Sequence, residues 1–152
     1  MKFRLLAVTA SVMAVSAWTV SRPAPVTYVA QMTGAAETPS TNVTGTGTAT
    51  LVLEGNRLHY TLTVKGLSGP ATMAHIHVGK VGVSGPPVFS FPVKHEAAGT
   101  LAEGSVDLAK EVSKGVSGDS LKALLADGGA YVNVHTKAHP GGEIRGQVEL
   151  KR

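Results

Sequence analysis

Apolar and polar residues alternate along most of this chain, in short runs separated by glycine, proline, asparagine and serine. Alternation with a period of two marks a strand with one face buried, and the punctuation supplies the turns. Residues 26–32 alternate in this way and predict an edge strand. Residues 46–53 and 58–64 carry a β-branched, period-two pattern on either side of Glu54, Gly55 and Asn56, so they predict a hairpin. In its second strand Leu58, Tyr60, Leu62 and Val64 share one face, with His59, Thr61 and Thr63 on the other. Residues 72–78, 88–93, 99–108, 130–136 and 143–150 predict further strands. The stretch 79–87, GKVGVSGPP, is too rich in glycine and proline for regular structure and predicts a loop. One segment has a helical period: Ser117, Gly118 and Asp119 can cap it, Leu121, Leu124 and Leu125 fall at i, i+3 and i+4, and Gly128-Gly129 stops it. The pattern is that of an all-β domain with one short inserted helix near 117–127.

The first residues follow a different logic. Lys2 and Arg4 precede an apolar run over residues 5–15, and Val15-Ser16-Ala17 places small residues where a signal peptidase needs them. Residues 1–17 read as a signal peptide, too short for a membrane span. Residues 18–25, with two prolines, read as a linker, and 26–152 as one domain. No other stretch approaches membrane-spanning length, so the expected product is periplasmic or secreted. Removing Lys2 and Arg4 lowers the formal charge from +4 to +2, too little and too scattered to argue for nucleic acid. Cysteine is absent, which excludes disulfides, thiolate catalysis and Cys-type zinc sites together.

Strand parity also sorts the candidate chemistry. His75 and His77 project from one face of their strand while Ala74, Ile76 and Val78 take the other. On the strand from Ala130, Val132 and Val134 point inward, so Tyr131, Asn133 and His135 share a polar face. On the last strand Ile144, Gly146 and Val148 point inward, leaving Glu143, Arg145 and Gln147 outward. If these three strands are neighbours, His75, His77, His135, Glu143 and Arg145 can meet. Neutral imidazole suits copper, zinc and nickel. An H-x-H pair with a third histidine from another strand gives three nitrogens and an open coordination position. His139, before Pro140, is a conditional fourth member. The bland reading stands beside this one: the imidazoles of His75 and His77 can tie down the 79–87 loop, His139 can pack its own turn, and Glu143 with Arg145 can be a surface pair of small energetic weight. His59 and His95 read as solvated. No Ser-His-Asp or Cys-His arrangement and no paired carboxylates are identifiable.

The segments AETPSTNVTGTGTATLVL, LHYTLTVKGLSGPATMAHIHVGKVGVSGPPV and LLADGGAYVNVHTKAHPGGEIRGQV resemble the CHRD domain. That domain is named for chordin and also occurs alone in bacterial exported proteins. The resemblance runs from about residue 26 to 148 and implies an immunoglobulin-like or Greek-key β-sandwich or barrel. A weaker likeness is to copper-zinc superoxide dismutase, in the order of an HIH strand, a Gly-rich loop, a VH strand and a closing GGEIRG strand. That likeness implies His75, His77 and His135 as copper ligands and Arg145 as a guide for the anion. The chain departs from it in lacking the disulfide and a recognisable zinc loop.

Three functional readings follow. The first is an exported module binding a transition metal, copper before zinc, through His75, His77, His135 and His139, with Arg145, Glu143 and Asn133 around them. The second is a non-catalytic interaction or structural module with a protein partner in the envelope and no metal. The third is a dismutase-like redox enzyme.

Overall fold

The computed structural model describes residues 23–113 and 115–152. The expected signal peptide and residues 18–22 of the expected linker lie outside them. The strands are β1 (Val26–Thr33), β2 (Thr46–Glu54), β3 (Arg57–Lys65), β4 (Ala71–Val78), β5 (Pro87–Ser90), β6 (Gly99–Asp107), β7 (Glu111–Ser113), β8 (Val116–Ser117), β9 (Ala130–Thr136), β10 (Ile144–Gln147) and β11 (Glu149–Leu150). The helix α1 spans Gly118–Ala126. The described residues are all-β with one short α-helix, as the pattern predicts, and a 3₁₀ turn at Gly34–Ala36 after β1. Nine strands form one antiparallel sheet in the order β5-β4-β9-β10-β1-β2-β3-β6, with β11 also on β1, and β7 pairs with β8 separately.

The predicted hairpin forms in register from Thr46↔Lys65 to Glu54↔Arg57. Gly55 takes φ 60° in its two-residue turn, a conformation free of steric cost only for glycine. Leu51, Leu58 and Leu62 bury completely on one face, while His59 stays exposed on the other. The sheet curls so that its ends approach. Tyr60 on β3 packs against Phe89 and Phe91 with ring centroids 5.6 and 5.2 Å apart, which joins the two halves of the core. The helix begins where Ser117 Oγ accepts the Ser120 N–H at 3.1 Å, and it buries Leu121 and Leu125.

One expectation is corrected. β1 is not an edge strand: it pairs with β2 along its whole length and with β10 and β11 on its other side. Alternation reports that one face of a strand is buried, here Tyr28, Ala30 and Met32. It says nothing about how many ladders the backbone makes.

The three strands that carry the polar face are neighbours. Across β4, β9 and β10, His75 lies opposite Asn133, which lies opposite Arg145. His77 lies opposite Tyr131, which lies opposite Gln147, and His135 faces Met73. The position of β10 against β1 depends on Gly146. A Cβ there would lie 2.3 Å from the Gln31 carbonyl oxygen and 2.6 Å from its carbon, and backbone cannot yield as a flexible side chain can. We expect Gly146→Ala to destabilise by about 1–3 kcal/mol, the usual cost of forced overpacking. A lower urea midpoint with an unchanged slope would register it.

Candidate metal site

The polar face of β4, β9 and β10 is not a surface. Tyr131, Asn133, His135, Glu143 and Arg145 are all buried, Glu143 completely. What covers much of this face is the 79–87 loop, folded back over it. Arg145 Nη2 donates to the carbonyls of Lys80 and Val83, both at 2.9 Å. Its guanidinium carbon lies 3.4 Å from the centre of the Tyr131 ring. Gln147 Nε2 reaches the carbonyls of Gly79, Gly128 and Ala130. The loop can approach this closely because Gly85 has no side chain: a Cβ there would lie 2.0 Å from the Val78 oxygen.

Three histidines meet at the edge of this interior. One ring nitrogen from each of His75, His77 and His135 lies within 4.8 Å of the other two. His77 stacks on Tyr131 with centroids 4.9 Å apart and 12° between the planes. Its Nδ1 donates to the Gly85 carbonyl at 2.8 Å. His135 Nδ1 donates to the Pro140 carbonyl at 3.0 Å. A carbonyl accepts only, so these two bonds place a proton on each Nδ1 and leave each Nε2 with a free lone pair in the neutral ring. Such carbonyl–imidazole pairs are how proteins orient histidine ligands toward a metal. His77 Nε2 is buried and has no hydrogen-bond partner. His135 Nε2 lies 3.2 Å from His75 Nδ1, which in the neutral rings makes His75 the donor.

The protonation balance favours the ligand form. Burial, together with the nearby His135 and His77, pushes His75 down to about 4. Burial also lowers His77 and His135, against the opposing pull of their carbonyl bonds. Three neutral imidazoles at neutral pH are three available nitrogen donors. Two metal–nitrogen bonds of about 2.0 to 2.1 Å at a tetrahedral angle separate their nitrogens by about 3.3 Å. The His75 Nδ1–His135 Nε2 separation of 3.2 Å is near that figure once an ion replaces the proton between them, and all three nitrogens lie within 4.8 Å of one another. The donor set therefore fits a late first-row metal ion.

The other residues assigned from sequence fall elsewhere. His139 sits on the turn after β9, where its backbone exchanges hydrogen bonds with Thr136, and its charge acts on Glu143 rather than on the three rings. Glu143 and Arg145 are not an exposed pair, because loops cover both sides of this part of the sheet. Glu143 accepts from Ser68 N–H at 2.7 Å, from the Ser68 hydroxyl and from the Thr136 hydroxyl at 2.6 Å. It ties the turn before β4 to the end of β9. Arg145 is 2 % exposed and serves as the clamp of the 79–87 loop. His59 and His95 are exposed, with His95 Nδ1 donating to the Ala71 carbonyl at 2.9 Å.

One residue of the neighbourhood had no sequence signal. Glu37 follows β1 in an irregular stretch, with no periodicity to place it, yet it accepts Asn133 Nδ2 at 2.7 Å. Burial raises its carboxyl to about 7, against the lowering effects of the Thr38 backbone, Arg145 and Asn133. Tyr131 and Gln147 were placed on the polar face by parity, but their hold on the loop needed its folded path.

Glu143 yields a pH-dependent prediction. Burial alone would raise its carboxyl, but the Ser68 and Thr136 hydrogen bonds and the His139 charge outweigh it and hold the group below its usual value. A depressed folded-state value means stability that is present above the unfolded carboxylate range and lost as pH falls through the folded one. We expect Glu143→Gln to cost about 1–3 kcal/mol at neutral pH. The difference from wild type should shrink as acid protonates the native carboxylate, and urea midpoints measured from pH 7 down to pH 3 would follow it.

A family model, the CHRD domain, matches residues 28–148. No curated protein and no solved structure matches the chain.

Proposed function

From the premise that this chain belongs to the CHRD domain family, we propose that it is an exported module that binds a transition metal, copper in particular, through His75, His77 and His135. The observation that carries the reading is the buried, unpartnered Nε2 of His77 beside two further imidazoles. Leaving a buried polar atom unpaired costs free energy, and a metal ion is a partner that this atom, His135 Nε2 and a His75 nitrogen can share. The choice of metal follows from the donors. Three imidazoles, with neither thiolate nor carboxylate among the clustered groups, suit Cu(II), which also heads the affinity order of the divalent ions. Zinc is the next candidate. The absence of cysteine removes the blue-copper type of site.

Export rests on the N-terminal sequence, Lys2 and Arg4 before an apolar run and the small residues to Ala17. Among the described residues no helix is long and apolar enough to cross a membrane. The expected location is the periplasm or the exterior.

A second reading has its own observation. The bond from His77 Nδ1 to Gly85 makes that imidazole a tie for the loop, as a purely structural or partner-binding module would use it. The dismutase-like reading ranks third, because Arg145 is spent on the loop.

The first two readings part on metal titration. Calorimetry of metal-free protein with Cu(II) should give one tight site, and the His75→Ala/His77→Ala double variant should bind at least about a hundredfold more weakly. Copper at a hundred times its dissociation constant should stabilise the wild type by about 2.7 kcal/mol. Equal, weak binding by both proteins would remove the metal reading and leave the structural one.

A further inference from the structure

Few large apolar side chains are exposed among the described residues, and one of them stands beside the histidines. Met73 is 47 % exposed. β4 buries Ala71, Ala74 and Ile76; the ladder with β9 shifts register between Ala71 and Met73, and from Met73 onward the alternation puts Met73 on the face of His75 and His77. In the ladder with β9 it lies directly opposite His135. Directly opposed residues have Cβ atoms about 4.5 to 5.5 Å apart, and next-but-one residues on a strand follow at about 6.6 to 6.8 Å. Methionine has three rotatable bonds beyond its Cα and a polarizable sulfur. From this position the thioether can swing over the open side of the three-imidazole cluster. Met73 is not part of the hydrophobic core.

Thioether sulfur is a soft donor, which selects Cu(I) over harder divalent ions, whereas imidazole serves Cu(II) and Zn(II) as well. We propose that Met73 is a sulfur ligand when the site takes up copper as Cu(I), so that the site holds Cu(I) as well as Cu(II). The inference rests on the three-histidine copper reading and adds to it an oxidation-state preference and a fourth ligand. It also assigns the mouth of the site: copper enters and leaves past Met73 and His75, on the side away from the clamped loop.

The test compares the mature wild-type protein with Met73→Leu and His77→Gln. Leucine keeps the apolar character and approximate volume of methionine at an exposed position, so the fold is undisturbed. Cu(I) affinity is read by competition with bathocuproine disulfonate under ascorbate without oxygen, and Cu(II) affinity by competition with nitrilotriacetate. Met73→Leu should weaken Cu(I) by about tenfold or more and change Cu(II) by less than about threefold. The copper X-ray absorption spectrum of the Cu(I) form should show a sulfur neighbour that Met73→Leu lacks. Unchanged Cu(I) affinity with no sulfur neighbour in the wild type would overturn the role of Met73. If His77→Gln nevertheless lost Cu(II), the histidine reading would survive that result. If the wild type bound neither ion, or His77→Gln bound Cu(II) as tightly as wild type, both would fall together.

Discussion

Strand β9 is buried at every one of its seven positions, and the rest of the molecule is arranged to make that tolerable. Val132 and Val134 on one face enter the hydrophobic core. Tyr131, Asn133 and His135 on the other face a second interior, made by the 79–87 loop and by the turns around β10. A sheet with one wet face needs no internal partners there. A sheet covered on both sides must find a partner for each buried polar group, since each one left unpaired costs about 1–3 kcal/mol. The loop's backbone partners most of them, and among the described residues His77 Nε2, Asn133 Oδ1 and Gln147 Oε1 are left without one. Arg145, Gln147, His77 and the Tyr131 hydroxyl each engage one or more of its backbone groups. The GKVGVSGPP segment, which has no regular structure of its own, is therefore fixed by side chains from three strands.

That arrangement explains why two carboxylates near the site behave in opposite ways. Glu143 sits among donors, two hydroxyls and an N–H, and they hold it ionised although it is fully buried. For Glu37 burial outweighs the lowering effects of the Thr38 backbone, Arg145 and Asn133, and its carboxyl is raised to about 7. The sign for Glu37 is the reverse of that for Glu143. Its folded form binds more protons than its unfolded form between the ordinary carboxylate value and 7, and it subtracts stability as pH rises through that range. The two carboxyls differ in the balance between burial, which raises both, and the donors and charges that oppose it.

Much of this was legible in the sequence, and what was not has a physical reason. Strand parity placed His75, His77 and His135 on one face because a period of two is a local property of the backbone. The helix cap at Ser117 and the turn at Gly55 were legible for the same reason. Strand parity could not say whether the polar face met water, because that depends on where a glycine-rich loop folds back. For Glu143 and Arg145 it accordingly left open both a place beside the histidines and a surface pair. Nor could it place Glu37, which reaches the site from an irregular stretch about a hundred residues before its partner. The edge position expected for β1 failed because face burial and ladder count are independent properties.

The structural and the metal-binding roles of the histidines need not compete. An imidazole has two nitrogens with separate geometries. In His77 and His135 the Nδ1 atoms are occupied by backbone carbonyls, and that bond is what fixes each ring's tautomer and direction. Here the second nitrogen of His77 is buried without a partner, and that of His135 is shared with His75. In the proposed metal site the loop tie would serve as the orienting bond of a ligand, and a bound ion would partner the orphaned nitrogen. Because all three rings are pushed toward neutrality by burial, a proton is a poor candidate for that electrophile near neutral pH. A metal ion, which binds the neutral ring, is a good one.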